Sequence, residues 1–409
     1  MSKRPLEGIV VVAAEVAEAG PCATQILSML GAEVTRVDRC LAVYPPIFKD
    51  GVGDAMMLRN TNKYLVGIDS KREEGKELIW KMIERADVFL ENYAPGAQDR
   101  LGFSYEAVKK RNPEIVYISL KGFSKNSRWA NSLAVDPVGA TSGGSAYLNG
   151  YEDYLPMMSG LNIGDSGTST HTAVSMLLAI LQKKLTGKGQ YIETPMQNAV
   201  TVNCRAGFGE YYANGGKVRR AGNSYKGLKP SAPWNLYPTL GDDIQGNHVC
   251  ISCRPEEEFK DFEHLCKAIG REDLLNDPKY ATAELRYINR LALDAEISKW
   301  TLCRNRAEVM QKLGIEAGVP VGKVMSIDDI INDPFLNDGH HIIETLVDET
   351  LINRPLPMPT IPIVIDRLPK ITPKSCGEVG SGNHEMFVDI LGLDQATYDK
   401  YVDEKIIDK

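Results

Sequence analysis

The sequence predicts a parallel α/β sheet covered by helices, joined to a smaller α+β domain. Three observations carry that expectation. The run Ile9-Val10-Val11-Val12 is continuously apolar, as in a strand buried on both faces. Strand-like and helix-like stretches alternate from Gly8 to Ser119, the order that parallel strands with crossover helices require. Beyond Tyr225 the character changes: Pro230, Pro233 and Pro238 punctuate the chain, and a hairpin-like pair follows.

The first strand spans Gly8 to Ala13. Gly20-Pro21 opens a helix that runs through Leu30, and Gly31 is a natural stop, since glycine accepts the left-handed backbone that ends helices. Val34 to Asp38, Leu65 to Ile68, Val88 to Leu90 and Ile115 to Ser119 read as further strands. Helices over Glu73–Glu84 and Tyr105–Lys110 separate them, which makes the layer Rossmann-like. The G-x-G-x-x-G fingerprint is absent after the first strand, so nicotinamide binding has no support. Asp38, ending the second strand, is either a ribose ligand or a solvated acid. Thr172 to Leu185 reads as a helix, with Ala173, Met176, Leu177, Ile180 and Leu181 at helical spacing. A strand over Tyr191–Thr194 and one helix over Gln197–Tyr212 follow, stopped by Asn214-Gly215-Gly216.

In the smaller domain, turns at Gly241-Asp242-Asp243 and Gly246-Asn247 mark the hairpin. Helices are expected over Glu256–Ile269, Leu285–Trp300 and Arg306–Leu313. Ser326–Ile331 reads as a short helix, Leu356–Ile365 as a proline-rich extended segment, and the last helix begins near Gly380 and ends at Leu391. The expected division is 1–224 for the large domain, 225–325 for the small one and 326–409 for a C-terminal segment.

Composition narrows the function. A formal charge of −7 and the lack of a dense basic run exclude nucleic acid as the main partner. No apolar run reaches the length of a membrane span, and the N-terminus lacks the apolar core of a secretory signal. The eight scattered cysteines suit reduced thiols, so a cytoplasmic location is expected. Cys250 and Cys253 have a C-x-x-C spacing but sit in a strand-like run without a second pair, so buried structural thiols are expected there and no metal site.

The most informative segment is Ser159 to His171, which sets Asp165 among Gly160, Gly164 and Gly167 just ahead of the Thr172 helix. Free N–H groups and the helix dipole favour a negative charge there. A helix cap and an exposed nucleophilic carboxylate both satisfy that pattern. Glycines leave room for backbone N–H groups to approach an oxyanion, or simply give the turn its flexibility.

This segment closely resembles the catalytic stretch of the class III CoA-transferases, through Pro156, Ser159-Gly160, Gly164-Asp165-Ser166 and His171. Ala19-Gly20-Pro21, Leu30-Gly31-Ala32, Asn62-Lys63, Glu91-Asn92-Tyr93, Pro95-Gly96, Arg100-Leu101-Gly102, Thr186-Gly187-Lys188-Gly189 and Gly318-Val319-Pro320 continue the likeness in order along nearly the whole chain. The resemblance implies an acyl-CoA:carboxylate CoA-transferase, a transferase of sulfur-containing groups. In it Asp165 forms an acyl anhydride and then a CoA thioester. Coenzyme A and acyl-CoA are then substrates, and no cofactor is bound permanently. The resemblance also implies a C-terminal segment returning to the large domain. It further implies two chains interlocked as a dimer, a homodimer or a heterodimer with a paralogue.

By the same likeness Gly164 flanks the nucleophile, Asp136 matches a second site carboxylate, and Glu18 stands where relatives carry Gln. A carboxylate there cannot donate the amide bonds of Gln, and it raises the pKa of Asp165 by repulsion. The CoA candidates are Ala17, Arg39, Lys71, Arg72, Asn92, Tyr93 and Arg100, near strand ends where an open sheet binds anions. The glycine loop that guards the site of formyl-CoA transferase has no counterpart, since Lys226 to Gln245 hold only isolated glycines. A larger acid, branched, aromatic or dicarboxylic, is therefore expected in place of oxalate or formate. An α-methylacyl-CoA racemase is the rival on the same fold, but it needs a His ahead of the Asp, and none precedes His171. A non-catalytic CoA-binding subunit is the other alternative.

Overall fold

The structure is a computed structural model, and it describes residues 4–43, 52–224, 230–241, 243, 246–255, 257–337, 342–348, 352–363 and 372–409. The chain forms two compact units. One comprises Met1–Ser145, Met158–Asn203 and Asp333–Lys409; the other comprises Ala146–Met157 and Cys204–Asn332. Among the described residues no helix is long and apolar enough to cross a membrane.

The first unit is built on six parallel strands: β1 (Val10–Ala14), β2 (Glu33–Arg39), β3 (Lys63–Ile68), β4 (Val88–Glu91), β5 (Val116–Lys121) and β6 (Gln190–Pro195). Their order is β3-β2-β1-β4-β5-β6, the doubly wound arrangement in which the strand order reverses between β1 and β4. Val12 registers with Thr35 on one side and Phe89 on the other, so β1 is central and both of its faces are covered. The expected mixed α/β fold with a parallel sheet is therefore present.

Helices cover each face. On one side α1 (Ala19–Met29) and α8 (Ile163–Thr186) pack with Val11, Ala13, Leu27, Val34, Met176 and Ile180 in the core. On the other, α3 (Glu73–Arg85) and α5 (Tyr105–Arg111) close over Val12, Val37, Ile79, Met82, Phe89 and Phe103. The connections also carry α2 (Val52–Asn60), α4 (Ala97–Leu101), α6 (Asp136–Ser142) and the single turn α7 (Ser145–Leu148). Residues near the C-terminus line the β3 edge: Gly380 and Gly382 donate to the Leu65 carbonyl, and Asp408 donates to that of Gly67. That pairing covers backbone groups an edge strand would otherwise expose.

The second unit carries an antiparallel sheet of β7 (Trp234–Pro238), β8 (His248–Ser252) and β9 (Val321–Lys323). Its own core gathers Tyr237, Val249, Ile251, Leu265, Leu293, Ile297 and Leu313. Of the expected hairpin turn, Asp242 and Gln245 lie outside the described residues.

Three expectations need correction. The helix expected from Thr172 starts nine residues earlier, at Ile163, because the small residues Gly164, Thr168 and Ser169 pack inward where apolar periodicity gives no signal. The single helix expected over Gln197–Tyr212 is two, α9 (Met196–Asn203) and α10 (Arg205–Ala213). Thr201, Val202 and Asn203 are weak helix formers, and the break falls there. The last helix is not the one ending near Leu391: a wide π-type turn covers Glu385–Ile390, and a further helix follows at Gln395–Asp403, capped by the Asp394 carboxylate.

Candidate functional site

The C-terminal ends of β1 and β4 frame the point where strand order reverses, and an open α/β sheet binds ligands there. Two features meet at this edge. A cavity of about 510 Å³ lies on the α3 side, lined by Val16, Val37, Arg39, Ile68, Tyr93 and Gln98 together with Asp38, Ser70, Phe89, Leu101 and Phe103. On the α1 side a group of carboxylates surrounds the start of α8.

Asp165 sits in the first turn of α8 and is half-buried. Its carboxylate accepts no hydrogen bond from any described residue, whereas its backbone N–H donates to Asp136 Oδ1 at 3.0 Å. Asp136 opens α6, so the N-termini of two helices touch. Gly164 permits this approach: a Cβ there would meet the Asp136 carbonyl oxygen at 2.5 Å and Oδ1 at 2.8 Å. The same substitution at Gly167 would meet Asn203 Nδ2 at 2.7 Å. His171 is turned to its own helix, with Nδ1 2.8 Å from the Gly167 carbonyl oxygen.

Glu18 flanks the start of α1 and does not cap it. Arg59, at the end of α2, donates to Glu18 Oε2 at 3.0 Å, and Asn162 Nδ2 donates to the same oxygen at 3.0 Å. The Asp165 carboxyl is pushed up from its ordinary 3.8 to about 6. Burial is the largest cause, Glu18 and Asp136 add repulsion, and Arg59 opposes them. Beneath this group lies a fully buried ion pair, Lys63 to Glu15 at 2.8 Å, with Lys63 also donating to Asn60 Oδ1 and the Pro21 carbonyl. Cys22 stands on the same helix turn, its thiol pushed up to about 12 by burial and then by Glu18.

The structure thus brings Asp165, Gly164, Asp136 and Glu18 together, and it places Arg39 and Tyr93 on the cavity. Ala17 links the two groups with a left-handed backbone, φ 57°, unusual for a residue with a side chain. Asn92 has its carboxamide engaged, accepting from Val16 N at 2.7 Å and donating to Val16 O at 2.9 Å, so it braces the loop after β1. Lys71, Arg72 and Arg100 are exposed and do not line this cavity, and Arg72 pairs with Glu74 and Glu404. Asp38 is neither a free ribose ligand nor a solvated acid: Arg36 takes both of its oxygens at 2.8 Å.

Sequence reasoning missed Arg59, Asn162 and Gln98. Arg59 follows three apolar residues with no motif around it, and Asn162 was inside the Asp165 segment but carried no assigned role. Gln98 is only 5% exposed, lines the cavity, and its carboxamide has no hydrogen-bond partner among the described residues. Among those residues no cluster of three or more His, Cys, Asp or Glu is gathered as a metal site.

Residues 6–382 match the family described as CoA-transferase family III. The formyl-CoA:oxalate CoA-transferase of Streptomyces coelicolor is 31% identical over 417 residues, covering 96% of this chain and 97% of that protein. The formyl-CoA:oxalate CoA-transferase of Escherichia coli O157:H7 is also 31% identical, over 83% of this chain and 85% of its own length. Among solved structures, a CaiB/BaiF family protein from Brucella suis superimposes with a TM-score of 0.78 at 26% identity, covering 93% of this chain and 98% of that one. Rv3272 from Mycobacterium tuberculosis shares the fold, with a TM-score of 0.73 at 22% identity over 93% of this chain and 98% of its own.

Proposed function

The chain belongs to CoA-transferase family III, and from that membership we propose that it moves coenzyme A from an acyl-CoA to a carboxylic acid through covalent intermediates on Asp165. The observation that carries this reading is the Asp165 carboxylate, half-buried and without a hydrogen-bond partner among the described residues, on a sheet whose opposite face carries a ligand-sized cavity at the strand ends. A capping aspartate would have spent its oxygens on backbone N–H groups.

An Asp165 oxygen attacks the donor thioester carbonyl, the C–S bond breaks, and CoA leaves as thiolate. The acyl group is then held as a mixed anhydride. The thiolate attacks the Asp165 carbonyl carbon, frees the donor acid as carboxylate and leaves an aspartyl-CoA thioester. The acceptor carboxylate attacks that thioester, and returning thiolate takes the acceptor acyl group, restoring Asp165. No water is consumed and no electron changes hands. Near pH 7 a carboxyl titrating at about 6 is mostly ionised and therefore nucleophilic. At the start of α8 the N–H groups of Ile163, Asp165 and Ser166 are already donated to Leu161 O, Asp136 Oδ1 and Asn162 O, which leaves the Gly164 N–H as the donor there for a tetrahedral oxyanion.

The cavity fits the nucleotide or pantetheine portion of CoA, with Arg39 at hand for phosphate and Tyr93 and Gln98 for stacking and amide contacts. A larger acid than oxalate is the acceptor. That reading rests on the missing glycine loop, whose region includes residues 226–229, 242, 244 and 245 outside the described set. The apolar stripe Val174, Leu178, Leu181 and Leu185 on α8 is 51–78% exposed, a surface that a second copy of this chain would cover.

The test is to incubate the protein with a panel of acyl-CoAs and hydroxylamine, then sequence the Asp165 peptide by mass spectrometry. A hydroxamate at Asp165, lost in Asp165→Asn, is the expected result. Exchange of the α-proton without CoA transfer would identify a racemase instead. Tight CoA binding with no adduct from any donor would leave only a binding subunit.

A further inference from the structure

Glu18 is a costly neighbour for a nucleophile that must be anionic. It stands with Asp136 beside Asp165, so three carboxylates occupy one helix-end cluster, and both neighbours disfavour the Asp165 anion. Two donors restrain Glu18, and both fall on Oε2: Arg59 Nη2 and Asn162 Nδ2, each at 3.0 Å. Oε1 accepts from no described residue, and Arg59 has no other partner among them. Arg59 comes from the end of α2, Asn162 from the residue preceding α8, and Glu18 from the residue preceding α1. The ion pair therefore ties three separate helix ends together at the nucleophile.

We propose that Arg59 is a positioning residue that holds and neutralises Glu18, so that Asp165 can be ionised at working pH. The inference rests on the reading of Asp165 as nucleophile. Among the described residues, the charged and titratable groups facing this cluster are Asp136 from α6, Cys22 on α1, Arg59 on α2, and the buried Glu15–Lys63 pair below. The Glu15–Lys63 pair is internally neutral and fully enclosed, and the Cys22 thiol is held protonated by burial. Arg59 is left as the cation that offsets Glu18 and Asp136, and its effect on Asp165 runs opposite to theirs. Arg59 is not part of the cavity lining; it holds Glu18 by the ion pair, and its charge also favours the Asp165 anion directly.

A merely structural role and an electrostatic one differ in their response to charge at position 18. The experiment measures the pH dependence of covalent adduct formation at Asp165, trapped with hydroxylamine from one reactive acyl-CoA. The proteins are wild type, Arg59→Met, Arg59→Lys, Glu18→Gln and the double variant Glu18→Gln/Arg59→Met. Arg59→Met is expected to move the midpoint of the profile up by about one pH unit, roughly a fivefold loss of rate at pH 6, with the plateau at high pH largely kept. Arg59→Lys keeps the charge and is expected to recover most of the shift. In the double variant the charge that Arg59 offsets is gone, and the midpoint is expected back at or below that of wild type. A wild-type midpoint in Arg59→Met, or a double variant no better than the single one, overturns the proposal. If wild type itself forms no adduct at Asp165, the nucleophile reading fails before the question of Arg59 arises.

Discussion

Asp165→Asn removes one charge, keeps the side-chain volume, and is expected to make the protein inactive yet more stable at neutral pH. The sign follows from where the proton sits. The folded carboxyl titrates at about 6 and the free side chain at 3.8, chiefly because burial and then Glu18 disfavour the anion. As pH rises from about 4 to 6 the unfolded chain gives up its proton first, so the folded state binds more protons and stability falls across that window. Above about pH 6 the loss is complete. Converted at 1.36 kcal/mol per tenfold change in acid constant, the gap corresponds to about 3 kcal/mol. A half-buried group is partly screened by water, which reduces the expected difference to about 1–2 kcal/mol. Asparagine does not titrate and escapes the whole effect. Urea unfolding followed by circular dichroism, at fixed protein concentration and at pH 4.5 and 7.5, measures it. Because pH 4.5 already lies inside that window, Asp165→Asn should gain about 0.7–1.3 kcal/mol over wild type between the two conditions. An advantage of equal size at both pH values, or a variant less stable than wild type at pH 7.5, would refute the reasoning.

Three further outcomes are expected. Lys63→Met leaves Glu15 charged and sealed from water, so urea unfolding should show a loss of about 3–5 kcal/mol, and a smaller loss than about 1 would mean that water reaches the pair. Gly164→Ala forces a Cβ against the Asp136 carbonyl oxygen, which should cost about 1–3 kcal/mol of stability in the same assay and lower the rate of Asp165 adduct formation. Gln98→Leu should weaken CoA binding about tenfold by calorimetry, the worth of one or two hydrogen bonds from an amide that faces the cavity without a partner among the described residues; unchanged affinity would place the ligand elsewhere.

The parallel sheet was legible because its signal is local. Val10 to Val12 form a continuous apolar run, Leu65–Val66 and Val88–Leu90 repeat it, and the helices between them supply the alternation that identifies a parallel layer. The Asp165 segment was legible through its glycines, yet the length of α8 was not, because its first nine residues bury Gly164, Thr168 and Ser169, which carry no apolar periodicity. Arg59 was invisible for a different reason. Nothing in the sequence brings residue 59 near residues 18 and 162; the packing of α1 and α8 on one face of the sheet does. Asn92 shows the converse, a residue legible as polar and near a strand end, whose amide turns out to be engaged with the backbone of Val16.

That brace explains how one short loop contributes to both halves of the site. After β1 the chain passes through Glu15, Val16, Ala17 and Glu18 before α1 begins. Val16 lines the cavity on the α3 face, whereas Glu18 belongs to the carboxylate group on the α1 face. Side chains two residues apart on an extended strand point to the same face, so the crossing needs a sharp change in backbone direction. Ala17 supplies it with φ 57°, a conformation that costs a residue bearing a Cβ about 1–2 kcal/mol. Five side chains hold the loop against that cost: Glu15 is locked by Lys63 and Thr24, Val16 by the Asn92 carboxamide, and Glu18 by Arg59 and Asn162. A backbone this heavily restrained fixes the position of the nucleophile's neighbour relative to the cavity wall to within a rotamer. The Glu18 ion pair and the cavity wall are then joined through one short, braced loop, which under the proposed mechanism would hold a bound thiolate and the Asp165 carboxylate in register.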